Sequence, residues 1–137
     1  MAVTMAEITK LRHLTSAGLM DCKKALAETN GDIEAAVEIL RKKGQAVAAK
    51  REDRQAAEGC VLAKNEGNFA AVVALNCETD FVAKNAGFVD LTKKILDAAM
   101  ANKVKSIDDL KAISINGQTI QDLVGEESGE TGEKMEI

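Results

Sequence analysis

The segment 76–85 combines side chains that could act on another molecule. Asp80 and Phe81 stand side by side where an apolar, strand-like run passes into a helix-like run. A corner between two regular elements lies at the surface and holds its side chains on a rigid base. Two interpretations of Phe81 stay open. It is either a core aromatic that begins a helix, as most large apolar residues are buried, or a side chain that projects towards a partner.

Residues that usually carry catalysis or bind metals are sparse. His13 is the one histidine, and the three cysteines, Cys22, Cys60 and Cys77, have no C-x-x-C spacing. We therefore expect free thiols in a reducing compartment and no zinc. The sequence has no glycine-rich phosphate loop, no Ser-His-Asp set and no paired carboxylates at acid–base spacing. It predicts a protein that is not an enzyme and that needs no metal or cofactor.

Composition limits the partners. The 137 residues carry a net charge of -4, which argues against an extended nucleic-acid-binding surface. Hydrophobic residues make up 46% of the chain, but Trp and Tyr are missing, so a core must be built from Leu, Ile, Val and Ala. No apolar run approaches a membrane span, and the amino terminus lacks a signal-peptide pattern. We expect a soluble, cytoplasmic protein that contacts neither membrane nor, directly, nucleic acid.

Three short helices are predicted in the first 45 residues. The first spans about 3–15 and presents an apolar stripe of Met5, Ile8, Leu11 and Leu14. Gly18, in a break over 16–18, is expected to adopt a conformation closed to other residues. A second helix over 20–29 ends at Gly31, and Asp32 caps the third. The pattern resembles a three-helix bundle of the ubiquitin-associated type.

The corner after Gly18 carries two adjacent apolar residues, Leu19 and Met20. Either can fill the bundle core or form an exposed apolar patch. We expect one to face inwards and the other outwards.

The segment 46–58 is rich in Ala, Arg, Lys and Gln, which favours a helix. We interpret it as a solvated helical linker. Because basic residues are frequent from Arg41 to Arg54, contact with RNA is an alternative, although Glu52, Asp53 and Glu58 interrupt the positive charge.

Two strands are predicted over 60–64 and 69–77, joined by a hairpin connection at 65–68. The second strand is apolar on both faces, which is typical of a strand that is covered on both sides or lies at the centre of a sheet. The last four residues, 134–137, could add a third strand.

Thr79 is a plausible cap for a helical segment that follows the strands, and Gly87 is expected to interrupt it. In a helical turn Phe81 and Val82 point about 100° apart, so Val82 can be buried while Phe81 stands out. A second helical face continues to about residue 101. Ser106 and Thr119 are expected to cap two short helices, over 107–112 and up to 124. The acidic, glycine-rich segment 125–133 is predicted to be mobile.

Together these elements predict an α+β fold. Its parts are a three-helix ubiquitin-associated-like bundle at 1–45, a helical linker at 46–58, and a region at 59–137 in which a small antiparallel sheet packs with helices.

Two stretches carry a family resemblance. Residues 14–26, LTSAGLMDCKKAL, and residues 76–85, NCETDFVAKN, resemble the two signatures of the elongation factor Ts family. The resemblance covers nearly the whole chain and is weakest after about Lys103. Members of this family usually continue into a second core half, so we expect this chain to be an amino-terminal fragment.

The resemblance implies a function in translation elongation, during protein biosynthesis. Members are nucleotide exchange factors for elongation factor Tu, a GTPase, and work without covalent catalysis. The aromatic residue of the second signature wedges into the GTPase near its magnesium site, beside a carboxylate that disturbs the phosphate contacts. The positions of this chain that match family contacts with the GTPase are Arg12, Leu19, Met20, Lys23, Thr79, Asp80, Phe81 and Val82.

Two other functions stay open. An adaptor could dock a helix or another protein on the three-helix bundle, and it would have no need to expose Asp80 and Phe81. A ribosome-associated RNA-binding protein could use the basic segment from Arg41 to Arg54, and its binding would weaken steeply with salt.

Overall fold

The structure is a computed structural model, and it describes residues 2–15 and 17–137. These residues form seven helices and two small antiparallel sheets. The elements are α1 (Met5–Thr15), α2 (Leu19–Glu28), α3 (Ile33–Ala49), β1 (Glu58–Glu66), β2 (Phe69–Cys77), α4 (Asp80–Ala83), α5 (Ala86–Asn102), α6 (Ile107–Ala112), β3 (Ser114–Ile115), β4 (Gln118–Thr119) and α7 (Ile120–Thr131). The predicted α+β fold is confirmed.

Helices α1, α2 and α3 enclose the first hydrophobic core. Its buried members are Ile8, Leu11, Cys22, Ala25, Leu26, Ala36 and Leu40. Met5 and Leu14, expected in the same stripe, are exposed instead. A three-residue spacing drifts by about 60° per step around a helix, so only the two middle residues of the series face the core.

Local signals set the ends of these helices. The Asp32 carboxylate accepts a hydrogen bond from the Ala35 N–H at 3.1 Å, as its capping position predicts. Gly31 has a φ of +86° and ends α2, also as predicted. Gly18 differs: its φ of -61° and ψ of 148° are open to any residue. Ser16, in the predicted break, lies outside the described residues.

The helical prediction for 46–58 is right only as far as Ala49, where α3 ends. Residues 50–57 form turns, a bend and irregular backbone before β1 begins. Two arginines of this stretch make hydrogen bonds to carbonyl oxygens far along the chain, Arg51 to Ser128 and Arg54 to Gly132. These tertiary contacts outweigh the intrinsic helix preference.

Strands β1 and β2 pair in register from Glu58 opposite Cys77 to Glu66 opposite Phe69. A two-residue turn joins them, with Gly67 at a φ of +60° in the first position, typical of a type II′ hairpin. Helix α5 packs on the inner face, which buries Val73, Leu75 and Cys77. The outer face is exposed at Val61 and Val72, so the expected cover on both faces is not found within the described residues.

Helix α7 corrects a further prediction, because the segment expected to be mobile continues the helix to Thr131. It packs against α3. Asp122, nearly buried, accepts hydrogen bonds from Arg41 at 3.1 Å and from Gln45 at 2.9 Å. The Thr119 cap is confirmed by its bond from the Asp122 N–H at 3.1 Å.

The predicted third strand is reduced to one bridge. Asn76 and Glu136 exchange both backbone hydrogen bonds, at 2.7 and 3.1 Å, in an antiparallel pair. This contact brings the end of the chain beside β2, two residues before the corner at 78–81.

Candidate partner-binding corner

The corner is the tight passage from β2 into α4. Thr79 has an extended backbone, with φ of -118° and ψ of 153°, and its hydroxyl accepts a hydrogen bond from the Val82 N–H at 3.4 Å. The prediction that Thr79 caps this helix is confirmed. The predicted interruption falls at 84–85 rather than at Gly87, because Asn85 caps α5 by accepting from the Gly87 N–H at 2.9 Å. Helix α4 is therefore a single isolated turn.

Phe81 stands out from this turn. Its side chain is 84% exposed, the largest value among the exposed large hydrophobic residues of the described chain. Val82, the next residue, is half-buried against the second hydrophobic core, the one that α5 forms with the inner face of the β1–β2 sheet. The predicted division between the two side chains is confirmed, and the interpretation of Phe81 as a core aromatic is wrong.

Asp80 precedes Phe81 and is also exposed. Its carboxylate forms an ion pair with Lys84, one helical turn away, at 3.7 Å. Exposed pairs of this kind contribute little to stability. Both the carboxylate and the ring are therefore available to a partner without loss of a structural contact.

A distant carboxylate holds the backbone of the corner. Glu133 accepts hydrogen bonds from the N–H groups of Glu78 and Thr79, both at 3.1 Å, and from the Thr79 hydroxyl. Its own carbonyl accepts from the Ser128 hydroxyl at 2.6 Å, which ties it to α7. Glu133 was not among the predicted site residues, because nothing local in the sequence indicates a contact across 54 residues.

Glu78, at the corner, in turn contacts the segment that carries Glu133. Its carboxylate accepts from the Lys134 N–H at 2.6 Å and from Arg54 at 3.2 Å. These bonds, the one from the Lys134 backbone above all, hold the pKa of Glu78 below its ordinary value. The corner and the segment 132–134 are thus joined by carboxylates from both sides.

Cys77 ends β2 beneath the corner. Burial raises the pKa of its thiol, and the thiol donates to the Thr79 carbonyl at 3.2 Å. A protonated, buried thiol is a poor nucleophile, so Cys77 serves packing rather than chemistry.

The other predicted contact residues lie on the helical bundle. Arg12 is on α1, while Leu19, Met20 and Lys23 are on α2, and all four are exposed. The expectation that either Leu19 or Met20 faces inwards is wrong: they are 42% and 60% exposed, because Cys22, Ala25 and Leu26 supply the buried face of α2. The exposed predicted residues therefore form two groups. Arg12, Leu19, Met20 and Lys23 lie on the helical bundle, and Asp80 and Phe81 lie at the corner.

The helical bundle is joined to the part of the chain that carries the corner where α3 packs against α7. Besides the bonds at Asp122, Arg51 of the segment after α3 donates to the Ser128 carbonyl at 2.6 Å. Because Ser128 also binds Glu133, a continuous series of contacts runs from the helical bundle to the corner. No helix among the described residues is long and apolar enough to cross a membrane.

Known proteins are similar to this chain, both at the corner and along its whole length. The family model described as elongation factor TS matches residues 78–137. Proteins named elongation factor Ts from Phocaeicola vulgatus and Parabacteroides distasonis are each 66% identical over all 137 residues, and one from Bacteroides thetaiotaomicron is 64% identical. The chain spans 42% of the length of each of these relatives. Over all 137 residues the chain is thus similar to proteins of the elongation factor Ts family.

Proposed function

We propose that this chain promotes the release of GDP from elongation factor Tu, as a non-catalytic exchange factor of the cytoplasm. The observation that carries the proposal is the exposure of Phe81 on a turn whose start is held by Glu133. An aromatic side chain is seldom left in water, and a rigid exposed one is typical of an anchor for a partner. Asp80 adds a carboxylate next to it, able to compete for the cations around a bound nucleotide.

Such a mechanism needs no covalent step. Bound GDP and magnesium stabilise one arrangement of a GTPase's phosphate-binding loops. A partner that prefers another arrangement weakens the binding of GDP, and GDP weakens the binding of the partner by the same factor. Phe81 would insert into the GTPase and hold the second arrangement.

The energy available from the ring sets a limit. Burying a phenylalanine side chain contributes roughly 1.5–3 kcal/mol, or about one to two decades of affinity. A larger effect needs further contact area. We propose that the exposed residues of the bundle, Arg12, Leu19, Met20 and Lys23, supply part of it, with Thr79 and Val82 flanking the ring.

The alternatives receive less support. An adaptor that uses only the helical bundle gives no reason for an exposed Asp80–Phe81 pair. RNA binding through the basic segment is disfavoured because three of its arginines are engaged within the chain: Arg41 with Asp122, Arg51 with Ser128, and Arg54 with Glu78.

The reciprocity of the two affinities provides the test. Calorimetry would give the Kd of the chain for nucleotide-free elongation factor Tu and for its GDP–magnesium complex. It would also give the Kd of GDP with and without saturating chain. The Kd of the chain should be higher for the GDP–magnesium complex than for the nucleotide-free GTPase, and the Kd of GDP should be higher with the chain than without it. We expect both increases to be large and to be the same factor. Equal binding of the chain to the two forms of the GTPase would indicate an adaptor and contradict the proposal.

A further inference from the structure

We infer that Glu133 is a positioning residue for the corner: its carboxylate fixes the direction in which Asp80 and Phe81 project. The inference rests on the proposed function, because it assigns Glu133 a part in the action of Phe81. Glu133 itself faces the backbone of the corner rather than a partner, since both its carboxylate oxygens are occupied within the chain.

The argument begins with the small size of α4. A single helical turn forms too few internal hydrogen bonds to be stable by itself. Tertiary contacts therefore set its orientation: Val82 and Ala83 pack against the core, and further contacts hold the backbone at its start. Two N–H groups there, those of Glu78 and Thr79, point away from the turn, and Glu133 accepts from both.

The Thr79 hydroxyl transmits this constraint to the helix. A hydroxyl has one proton to donate and two lone pairs that accept. When its proton is directed to Glu133, a lone pair remains for the Val82 N–H. The carboxylate thus orients the capping group, and the cap orients the turn that carries Phe81.

Glu133 is itself held in place by contacts with the end of α7. Glu133 follows Gly132, which ends α7 at a φ of +77°, and the Glu133 carbonyl accepts from Ser128 in the last turns of that helix. Glu78 and Lys134 close the same junction from the opposite direction. The corner is therefore braced against α7, the helix that also packs on the bundle.

A double-mutant cycle tests the inference in the full chain. Glu133→Ala should lower the stimulated rate of GDP release roughly fivefold in the wild-type background. If Glu133 acts through Phe81, the same substitution should change the rate by less than about twofold when Phe81→Ala is already present. Equal losses in the two backgrounds, or no loss in the first, would overturn the inference.

Glu130→Ala is the matched control. Glu130 is an exposed glutamate near the end of α7, and its removal changes the net charge equally. It should leave release unchanged. Glu133→Gln keeps an oxygen for the two N–H groups but no acceptor for the hydroxyl proton. Its loss should fall between those of wild type and Glu133→Ala, and this variant keeps the test open if the alanine variant fails to fold.

Hydrogen exchange separates this inference from the proposed function. In the free chain, Glu133→Ala should speed the exchange of the Val82 amide roughly tenfold, whereas Glu130→Ala should not. Unchanged exchange at Val82 would overturn the inference even if the chain releases GDP. Faster exchange in a chain that releases no GDP would refute the proposed function alone.

Discussion

Phe81 shows how far single residues could be read from the sequence. The 100° step of a helical turn allowed an outward ring beside a buried Val82 but left a buried Phe81 open, and the family motif implied a contact of the ring with a partner. In the structure the ring is exposed and Val82 is half-buried. Leu19 and Met20 were harder, because adjacent apolar residues at a helix start give no periodicity that chooses between them. Glu133 was beyond prediction, since a side chain that accepts from backbone groups 54 and 55 residues away leaves no local pattern.

Glu78 carries the pH prediction at this scale. Its folded-state pKa lies below its ordinary value because its carboxylate accepts from the Lys134 N–H and from Arg54. The folded chain therefore binds the proton less tightly than the unfolded chain does. Ionised Glu78 contributes stability above the unfolded value of 4.5, and this stability is lost as the pH falls through the folded value.

We expect Glu78→Gln to lower the Tm by a few degrees at pH 6, and the difference to shrink as the pH is lowered from 6 towards 3. Thermal melts of both proteins across this range would measure it. Glu126 and Glu127, whose pKa values burial raises, give the opposite slope, but they are present in both proteins and cancel in the comparison. A gap that stays constant from pH 6 to pH 3 would contradict the assignment.

Elements were predicted well where the signal is local. The caps at Asp32, Thr79, Ser106 and Thr119 were all found, because each depends on residues within three positions. Two of the segments that were predicted wrongly depend on distant contacts. Residues 50–57 are drawn out of the helix by bonds of Arg51 and Arg54, and α7 keeps its helix over two glycines because it packs on α3.

The glycines of two elements should respond in opposite ways to alanine. Gly129 lies within α7, and a Cβ there would meet nothing within 4 Å. Gly129→Ala should therefore stabilise the chain by about 0.5–1 kcal/mol. At Gly59, at the start of β1, a Cβ would lie 2.5 Å from the Leu75 carbonyl oxygen and 2.8 Å from the Asn76 side chain.

Gly59→Ala should cost about 1–3 kcal/mol, because the backbone of β2 would have to move. Urea denaturation of the two variants and the wild type gives both values. A stabilising Gly59→Ala would show that the strands are not packed as closely as the structure has them.

At the scale of the whole molecule, the sequence predicted two parts but not how they meet. The packing of α7 on α3, with Asp122 between Arg41 and Gln45, joins residues about 80 positions apart, and no pattern in either helix predicts it. That residues 1–45 form a domain separate from 59–137 stays a prediction. The joined arrangement connects the corner to the helical bundle through α3 and α7.

The central claim is that this chain releases GDP from a GTPase by presenting the Phe81 ring. Stopped-flow release of fluorescent GDP from elongation factor Tu tests it directly. Phe81→Ala should lower the stimulated rate by roughly tenfold or more, while the Tm stays within about 1 °C, since the ring has almost no contacts to lose. Val72→Ala truncates another exposed apolar side chain, on the outer face of the hairpin; it is the control and should release GDP as the wild type does. Equal rates for Phe81→Ala and the wild type would contradict the claim.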